Sequence, residues 1–152
     1  MFLGTASSLA YNSTLSRRQD RYRIKKSLKE PDLAYWGYHV TLDCHDANRS
    51  LMMERYNVEC FVKELVNRID MVAIGEPWIE YTAGDQPDKA GFTVVQIIVT
   101  SSIVAHLVDA TGDIYLDVFS CQEFDPAVVK SVVKEYFKPH SMRMNFLTRH
   151  AG

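Results

Sequence analysis

Between Asp113 and Cys121 apolar and polar positions alternate, with Ile114, Leu116 and Val118 on one side and Tyr115, Asp117, Phe119 and Cys121 on the other. A period of two sends successive side chains to opposite faces, so the spacing predicts a strand with two unlike faces. Helical spacing governs two other stretches. Val58, Phe61, Val62, Leu65, Val66 and Ile69 recur every three or four residues, with Asn57 available as a cap. Val128, Val129, Val132, Val133, Tyr136 and Phe137 do the same, started by Asp125 and Pro126 and stopped by Pro139. Tyr35 to Asp43, Val72 to Thr82, a run from Phe92, and Met142 to Leu147 read as further strands, and Gly84, Pro87 and Gly91 mark a loop before Phe92. The order strand, helix, three or more strands, helix, strand is that of an α+β fold, a two-layer sandwich whose antiparallel sheet carries its helices on one face. Many binding modules share that pattern, so it decides no function.

Length and composition narrow the picture. At 152 residues with 47% hydrophobic positions, there is apolar material for one core and too little chain for two ordinary domains. The periodic pattern starts near Tyr35, which predicts a basic polar tail over residues 1–33, flexible in solution, and one folded domain over 34–152. Net charge is −2, but residues 1–34 hold seven Lys or Arg against three acids. Arg17, Arg18, Arg21, Arg23, Lys25, Lys26 and Lys29 could meet nucleic acid, yet such runs are more often solvated, and nucleic acid is not the expected partner.

Other classes fall away on simple grounds. The longest apolar stretch, Phe92 to Val108, is interrupted by Gln96, Thr100, Ser101, Ser102 and His106, so no membrane span is expected. Met1 to Ala10 lacks a basic residue ahead of an apolar run, which makes the cytoplasm the expected compartment. Cys44, Cys60 and Cys121 form no close pair, which argues against a disulfide framework or a Cys-x-x-Cys site. His39, Asp43, His45 and Asp46 lie close in sequence, but His39 and Asp43 stand about 13 Å apart on an extended strand, too far for one ion, and no metal is expected.

The chemistry concentrates in Gly91 to Cys121, GFTVVQIIVTSSIVAHLVDATGDIYLDVFSC. Read alone, Ser101 and Ser102 are strand-end hydroxyls, Cys121 a small buried hydrophobe and His106 a satisfied core histidine. Their spacing suggests more: His106 stands five residues and Cys121 twenty residues after Ser101, and Thr93 stands eight before it. With the opening Gly37-Tyr-His39 and Asp43, the run Asp117-Val-Phe-Ser-Cys121 and the closing Glu135-Tyr-Phe-Lys138, this stretch resembles the small bacterial and archaeal S-adenosylmethionine decarboxylases over about residues 35 to 148.

The resemblance implies a pyruvoyl enzyme that makes its own cofactor. The Ser101 hydroxyl attacks the Thr100 carbonyl, the resulting ester eliminates, and the chain is cut between Thr100 and Ser101, leaving a covalent pyruvoyl group derived from Ser101. That group forms a Schiff base with the amine of S-adenosylmethionine and accepts the electrons left by CO2 loss, giving the aminopropyl donor for spermidine synthesis. His106 is then the proton-transfer residue of self-cleavage and Cys121 the acid that reprotonates the substrate carbon. Thr93 and Asp109 serve in processing or substrate binding. Eight residues of straight strand span about 26 Å, so Thr93 cannot meet Ser101 within one strand, and a homodimer that builds the site from two copies is expected.

Two departures from the family pattern keep rival readings open. Thr100 and Ser102 stand where the family usually has Glu and His, and Leu107-Val-Asp-Ala110 stands where it commonly has Trp-Pro-Glu after the histidine, with Asp109 one position early. The second departure suits a pyruvoyl-dependent arginine or ornithine decarboxylase. The first suits an uncleaved, non-catalytic relative that binds a ligand or a partner enzyme.

Overall fold

The structure is a computed structural model that describes residues 35–151; the tail expected over residues 1–33 lies outside them. Six strands, β1 (Gly37–His45), β2 (Trp78–Thr82), β3 (Gly91–Ile98), β4 (Ser101–Val108), β5 (Asp113–Ser120) and β6 (Ser141–Arg149), form one sheet in the order β2-β3-β4-β5-β1-β6. Every adjacent pair is antiparallel. Three helices accompany them: α1 (Arg49–Met52), α2 (Arg55–Arg68) and α3 (Pro126–Phe137). This is the α+β two-layer arrangement that the periodicity predicts.

The two periods meet in the core. Val40 and Leu42 of β1, Val94 and Ile98 of β3, Ile103, Ala105 and Leu107 of β4, and Ile114, Leu116 and Val118 of β5 are all buried on the side that receives the helices. From above, α2 contributes Val58, Phe61, Val62 and Leu65, and α3 contributes Val129, Val132, Val133 and Phe137. Phe61 and Phe137 meet edge to face at 4.8 Å between ring centres, which joins the helices over the sheet.

Helix ends follow capping chemistry with one surprise. The Asp125 side chain accepts from the Ala127 N–H and Pro126 takes the first turn, as the sequence predicts. For α2 the cap is Glu54, whose carboxylate accepts from the Tyr56 N–H, and the expected cap Asn57 lies inside the helix, donating its side-chain amide to the Leu51 carbonyl. That bond ties α2 to α1, an element too short for periodicity to reveal.

The strand expected over Val72 to Thr82 is divided. Ala73 makes an isolated bridge to Ile98, Gly75 adopts a positive φ of 71°, and the regular ladder begins at Trp78. The apolar run from Phe92 is divided as well: Ile98 pairs with Ser101, leaving Val99 and Thr100 as the tip of a two-residue hairpin between β3 and β4. Gly91 opens β3 with a φ of 159°, and a Cβ there would lie 1.7 Å from the Leu107 carbonyl oxygen, so the close approach of β3 to β4 requires glycine.

The sheet face away from the helices carries large exposed apolar side chains. Ile97, Val104, Tyr115 and Leu147 lie on it, each more than a third exposed, beside Trp78 at 67%. Polar neighbours share this face, among them Thr93, His106, Asp117, His39 and Arg149.

Candidate active site

Two groups of residues predicted from the sequence come together at opposite ends of β4. The first surrounds the Thr100–Ser101 peptide. Ser101 pairs with Ser120, which brings Cys121 beside the hairpin tip, and the Cys121 N–H donates to the Thr100 carbonyl oxygen across 3.0 Å. A donor at that distance polarises the carbonyl and sits where it can hold an oxygen that gains negative charge. Ser101 itself has a φ of 150°, a region L residues rarely adopt, at a cost of about 1–3 kcal/mol. The tight reversal without a glycine places that strain on the residue expected to attack.

A buried hydroxyl chain holds the Thr100 side chain beside that peptide. The Ser120 hydroxyl, fully buried, donates to Thr100 Oγ1 at 2.9 Å, Thr100 donates to the Met71 sulfur at 3.2 Å, and the Gln122 N–H donates to Ser120 Oγ at 2.9 Å. Thr100 occupies the position where the family that the sequence resembles usually has Glu, so a neutral chain stands here in place of a charge.

The second group lies at the other end of the strand. Thr93 of β3 is opposite His106 of β4, and Thr93 Oγ1 is 2.8 Å from His106 Nδ1. On its far side the ring meets the Lys89 carbonyl through Nε2 at 2.8 Å, and Thr93 Oγ1 lies 2.7 Å from Thr82 Oγ1. His106 lines an open pocket with Asp88, Lys89, Val108, Thr111, Asp113 and Tyr115. Five residues of extended strand, roughly 16 Å, separate His106 from Ser101. Thr93 and Ser101 therefore stay apart although β3 and β4 form a hairpin. Within one chain the Cys121 N–H meets the Thr100 carbonyl that precedes Ser101, and His106 meets Thr93, but the two groups do not meet each other.

Asp109 follows β4 and joins neither group. Its Oδ2 accepts from the Tyr81 hydroxyl at 2.9 Å, while Oδ1 is buried with no hydrogen-bond partner among the described residues. The Asp109 carboxylate raises the Tyr81 phenol above its ordinary range by holding that proton.

A third arrangement escaped the sequence reading. Arg149 donates to His39 Nδ1 at 3.3 Å, His39 Nε2 donates to Asp117 Oδ1 at 3.0 Å, and the guanidinium lies 5.3 Å from the centre of the Phe119 ring. Phe119 is opposite both His39 and Ser102, so this cluster borders the hairpin end of β4. The alternation of β1 and β5 put His39, Asp117 and Phe119 on one face, but only the strand order shows that β1 and β5 are neighbours. Asp43 pairs with Arg143 and His45 with Asp113, so these residues turn to separate partners. Burial pushes the Cys44 thiol up to about 12, and Cys44, Cys60 and Cys121 are all free cysteines. Among the described residues no helix is long and apolar enough to cross a membrane.

Comparison with known proteins decides the family. A sequence model of the S-adenosylmethionine decarboxylases matches residues 38–150. The chain belongs to the S-adenosylmethionine decarboxylase family. A curated member, the S-adenosylmethionine decarboxylase proenzyme of Archaeoglobus fulgidus, is 25% identical over 116 residues, covering 74% of this chain and 96% of that protein. The crystal structure of the adenosylmethionine decarboxylase from Aquifex aeolicus VF5 has the same fold, with a TM-score of 0.64 at 16% identity, over 78% of this chain and 93% of that one. The residues matched by the decarboxylase family model include the hairpin, Ser101, His106 and Cys121.

Proposed function

We propose that this chain is a proenzyme that cuts itself between Thr100 and Ser101 and then decarboxylates S-adenosylmethionine, in the cytoplasm, for spermidine synthesis. The observation that carries this reading is the Thr100–Ser101 peptide: a strained Ser101 follows a carbonyl already polarised by the Cys121 N–H. The residues present suit a serine-derived pyruvoyl group, because neither Ser101 nor Ser102 has a side-chain hydrogen-bond partner among the described residues, the carbonyl to be attacked accepts from the Cys121 N–H, and the Thr100 side chain is held by Ser120. Once formed, that group supplies an electron sink for the carbon that loses CO2.

The chain's own residues have separable tasks. Ser101 Oγ attacks the Thr100 carbonyl carbon, and the oxygen that gains charge stays on the Cys121 N–H. His106 takes and returns the proton of that step, a task suited to an imidazole. The Cys121 thiol returns a proton to the substrate carbon after decarboxylation. Asp109 Oδ1, buried and unpartnered, accepts from a substrate hydroxyl, which satisfies an otherwise costly buried oxygen.

The separation of His106 from Ser101 calls for a second copy. Ile97, Val104, Tyr115, Leu147 and Trp78 make the helix-free face apolar enough to pair with itself. A two-fold dimer built on this face brings the Ser101 end of one β4 against the His106 end of the other. Each of its two sites then has a nucleophile from one protomer and a base from its partner.

Intact mass spectrometry under denaturing conditions, beside a Ser101→Ala variant, tests the reading. Two fragments ending at Thr100 and beginning with a blocked residue 101, in the unaltered chain alone, support it. A chain that stays whole sinks it in favour of a non-catalytic relative. CO2 release from S-adenosylmethionine, arginine and ornithine then decides the substrate, and release from either amino acid with none from S-adenosylmethionine overturns the nucleoside assignment.

A further inference from the structure

We propose that Thr82 of β2 is a positioning residue for His106, acting through the Thr93 hydroxyl. The inference rests on His106 as the base of self-cleavage, and its first observation is a matter of proton count. A carbonyl oxygen only accepts, so the 2.8 Å contact between His106 Nε2 and the Lys89 carbonyl fixes the ring proton of neutral His106 on Nε2. Nδ1 is then the acceptor, and the Thr93 hydroxyl at 2.8 Å must be its donor. With its proton spent on Nδ1, Thr93 Oγ1 can only accept from Thr82, whose hydroxyl lies 2.7 Å away. All protons in the neutral state therefore run one way, from Thr82 to Thr93 to His106.

Taking up a proton at Nδ1 reverses the chain. Nδ1–H now donates to Thr93 Oγ1, the Thr93 proton turns to Thr82 Oγ1, and the Thr82 proton turns to the Gly91 carbonyl, which lies 3.4 Å from Thr82 Oγ1. Two hydroxyl rotations serve both charge states of the imidazole without moving the strands. A hydroxyl at position 82 is what makes this possible: it offers a donor to Thr93 in one state and an acceptor in the other. Thr82 is opposite Gly91 and Thr93 is opposite Glu80 in the β2–β3 ladder, so the geometry is set by backbone pairing. Thr82 touches neither the peptide to be cut nor the imidazole, which makes it a positioning residue and distinguishes it from Thr93.

The test uses full-length protein with 15N-labelled histidine on a Ser101→Ala background, where cleavage cannot complicate the spectra. In Thr82→Val the His106 Nδ1 resonance is expected to move toward the position of an unbonded ring nitrogen, and in Thr82→Ser to stay with the parent. With Ser101 restored, self-cleavage of Thr82→Val should slow roughly fivefold, the effect of one lost hydrogen bond, and recover in Thr82→Ser. Thr82→Ala provides the same loss of hydroxyl without added bulk if the valine variant fails to fold. An Nδ1 resonance that moves in Thr93→Ala but not in Thr82→Val overturns the proposal, as does an unchanged cleavage rate beside a folded Thr82→Val chain. A parent chain with Ser101 intact that never cuts itself sinks the processing reading instead, and the Nδ1 resonance then decides the hydroxyl relay by itself.

Discussion

Cys121 reaches Thr100 through its backbone: its N–H donates to the Thr100 carbonyl across 3.0 Å, while its thiol is left for other work. In the proposed scheme one residue thus serves two steps through two different atoms. Replacing Cys121 with Ala keeps the N–H and removes the sulfur. The expected outcome is self-cleavage near the parent rate and decarboxylation slowed by about 10²–10⁴, the usual contribution of a positioned acid. Gel separation of the fragments beside a CO2-release assay measures the two rates, and a variant impaired equally in both contradicts the division.

Ser120 is the buried clamp on the same peptide. Ser120→Ala leaves the Thr100 hydroxyl without its donor and the Gln122 N–H without its acceptor. A stability loss of about 1–3 kcal/mol is expected, read by urea denaturation on a Ser101→Ala background so that both chains compared are whole. Slower cleavage should accompany it where Ser101 is retained.

Much of this arrangement was legible in the chain. Strand β5 follows from strict alternation and α3 from Asp125 and Pro126, because in both the local preference and the buried face agree. The turn at Val99 and Thr100 was not, since neither residue is a turn former; the reversal is imposed by strand pairing, and the strain falls on Ser101. The distance between His106 and Ser101 could be counted from sequence, whereas Thr82 could not be found until the β2–β3 register was known. Glu54 displaced Asn57 as a cap because the helix begins a turn earlier than its apolar stripe.

The proposed division of the site between two copies predicts complementation. A Ser101→Ala chain has an intact His106 but no nucleophile, and a His106→Ala chain has the reverse. Each alone should stay whole or cut very slowly. Mixed and allowed to exchange subunits, the His106→Ala chain should be cut, to at most the fraction present in mixed dimers. Mass spectrometry distinguishes the chains, and cleavage of neither after exchange argues for a site within one protomer. Ile97→Asp, which puts a charge on the apolar face, should give a monomer by light scattering.

Asp113 gives a pH dependence with a definite sign. Burial raises its pKa, but the hydrogen bonds from His45 and Thr111 outweigh this and hold the carboxyl below its ordinary 3.8. A carboxyl depressed in the folded state adds stability above the unfolded value, and that stability is lost as pH falls through the folded value. His45→Gln should therefore be less stable than the parent at pH 5. The difference should shrink as the pH drops below 3.8, which urea denaturation at a series of pH values will show.

Gly91→Ala is expected to destabilise the fold by more than about 2 kcal/mol, because the new methyl would meet the Leu107 carbonyl oxygen and the backbone angle disfavours any side chain. Thermal unfolding measures the loss.

The strand order has a consequence for what self-cleavage leaves behind. A cut after Thr100 assigns β1, β2 and β3 to one fragment and β4, β5 and β6 to the other, yet β1 lies between β5 and β6. The fragments are interleaved like the fingers of two hands, so neither can leave without breaking ladders on both sides of β1. Before the cut, refolding is a single-chain event with a rate independent of concentration. Afterwards it requires two different chains to find each other, and slows as the solution is diluted. The proposed self-cleavage would thus turn a fold that can be lost and regained into one held mainly by the slowness of its unfolding.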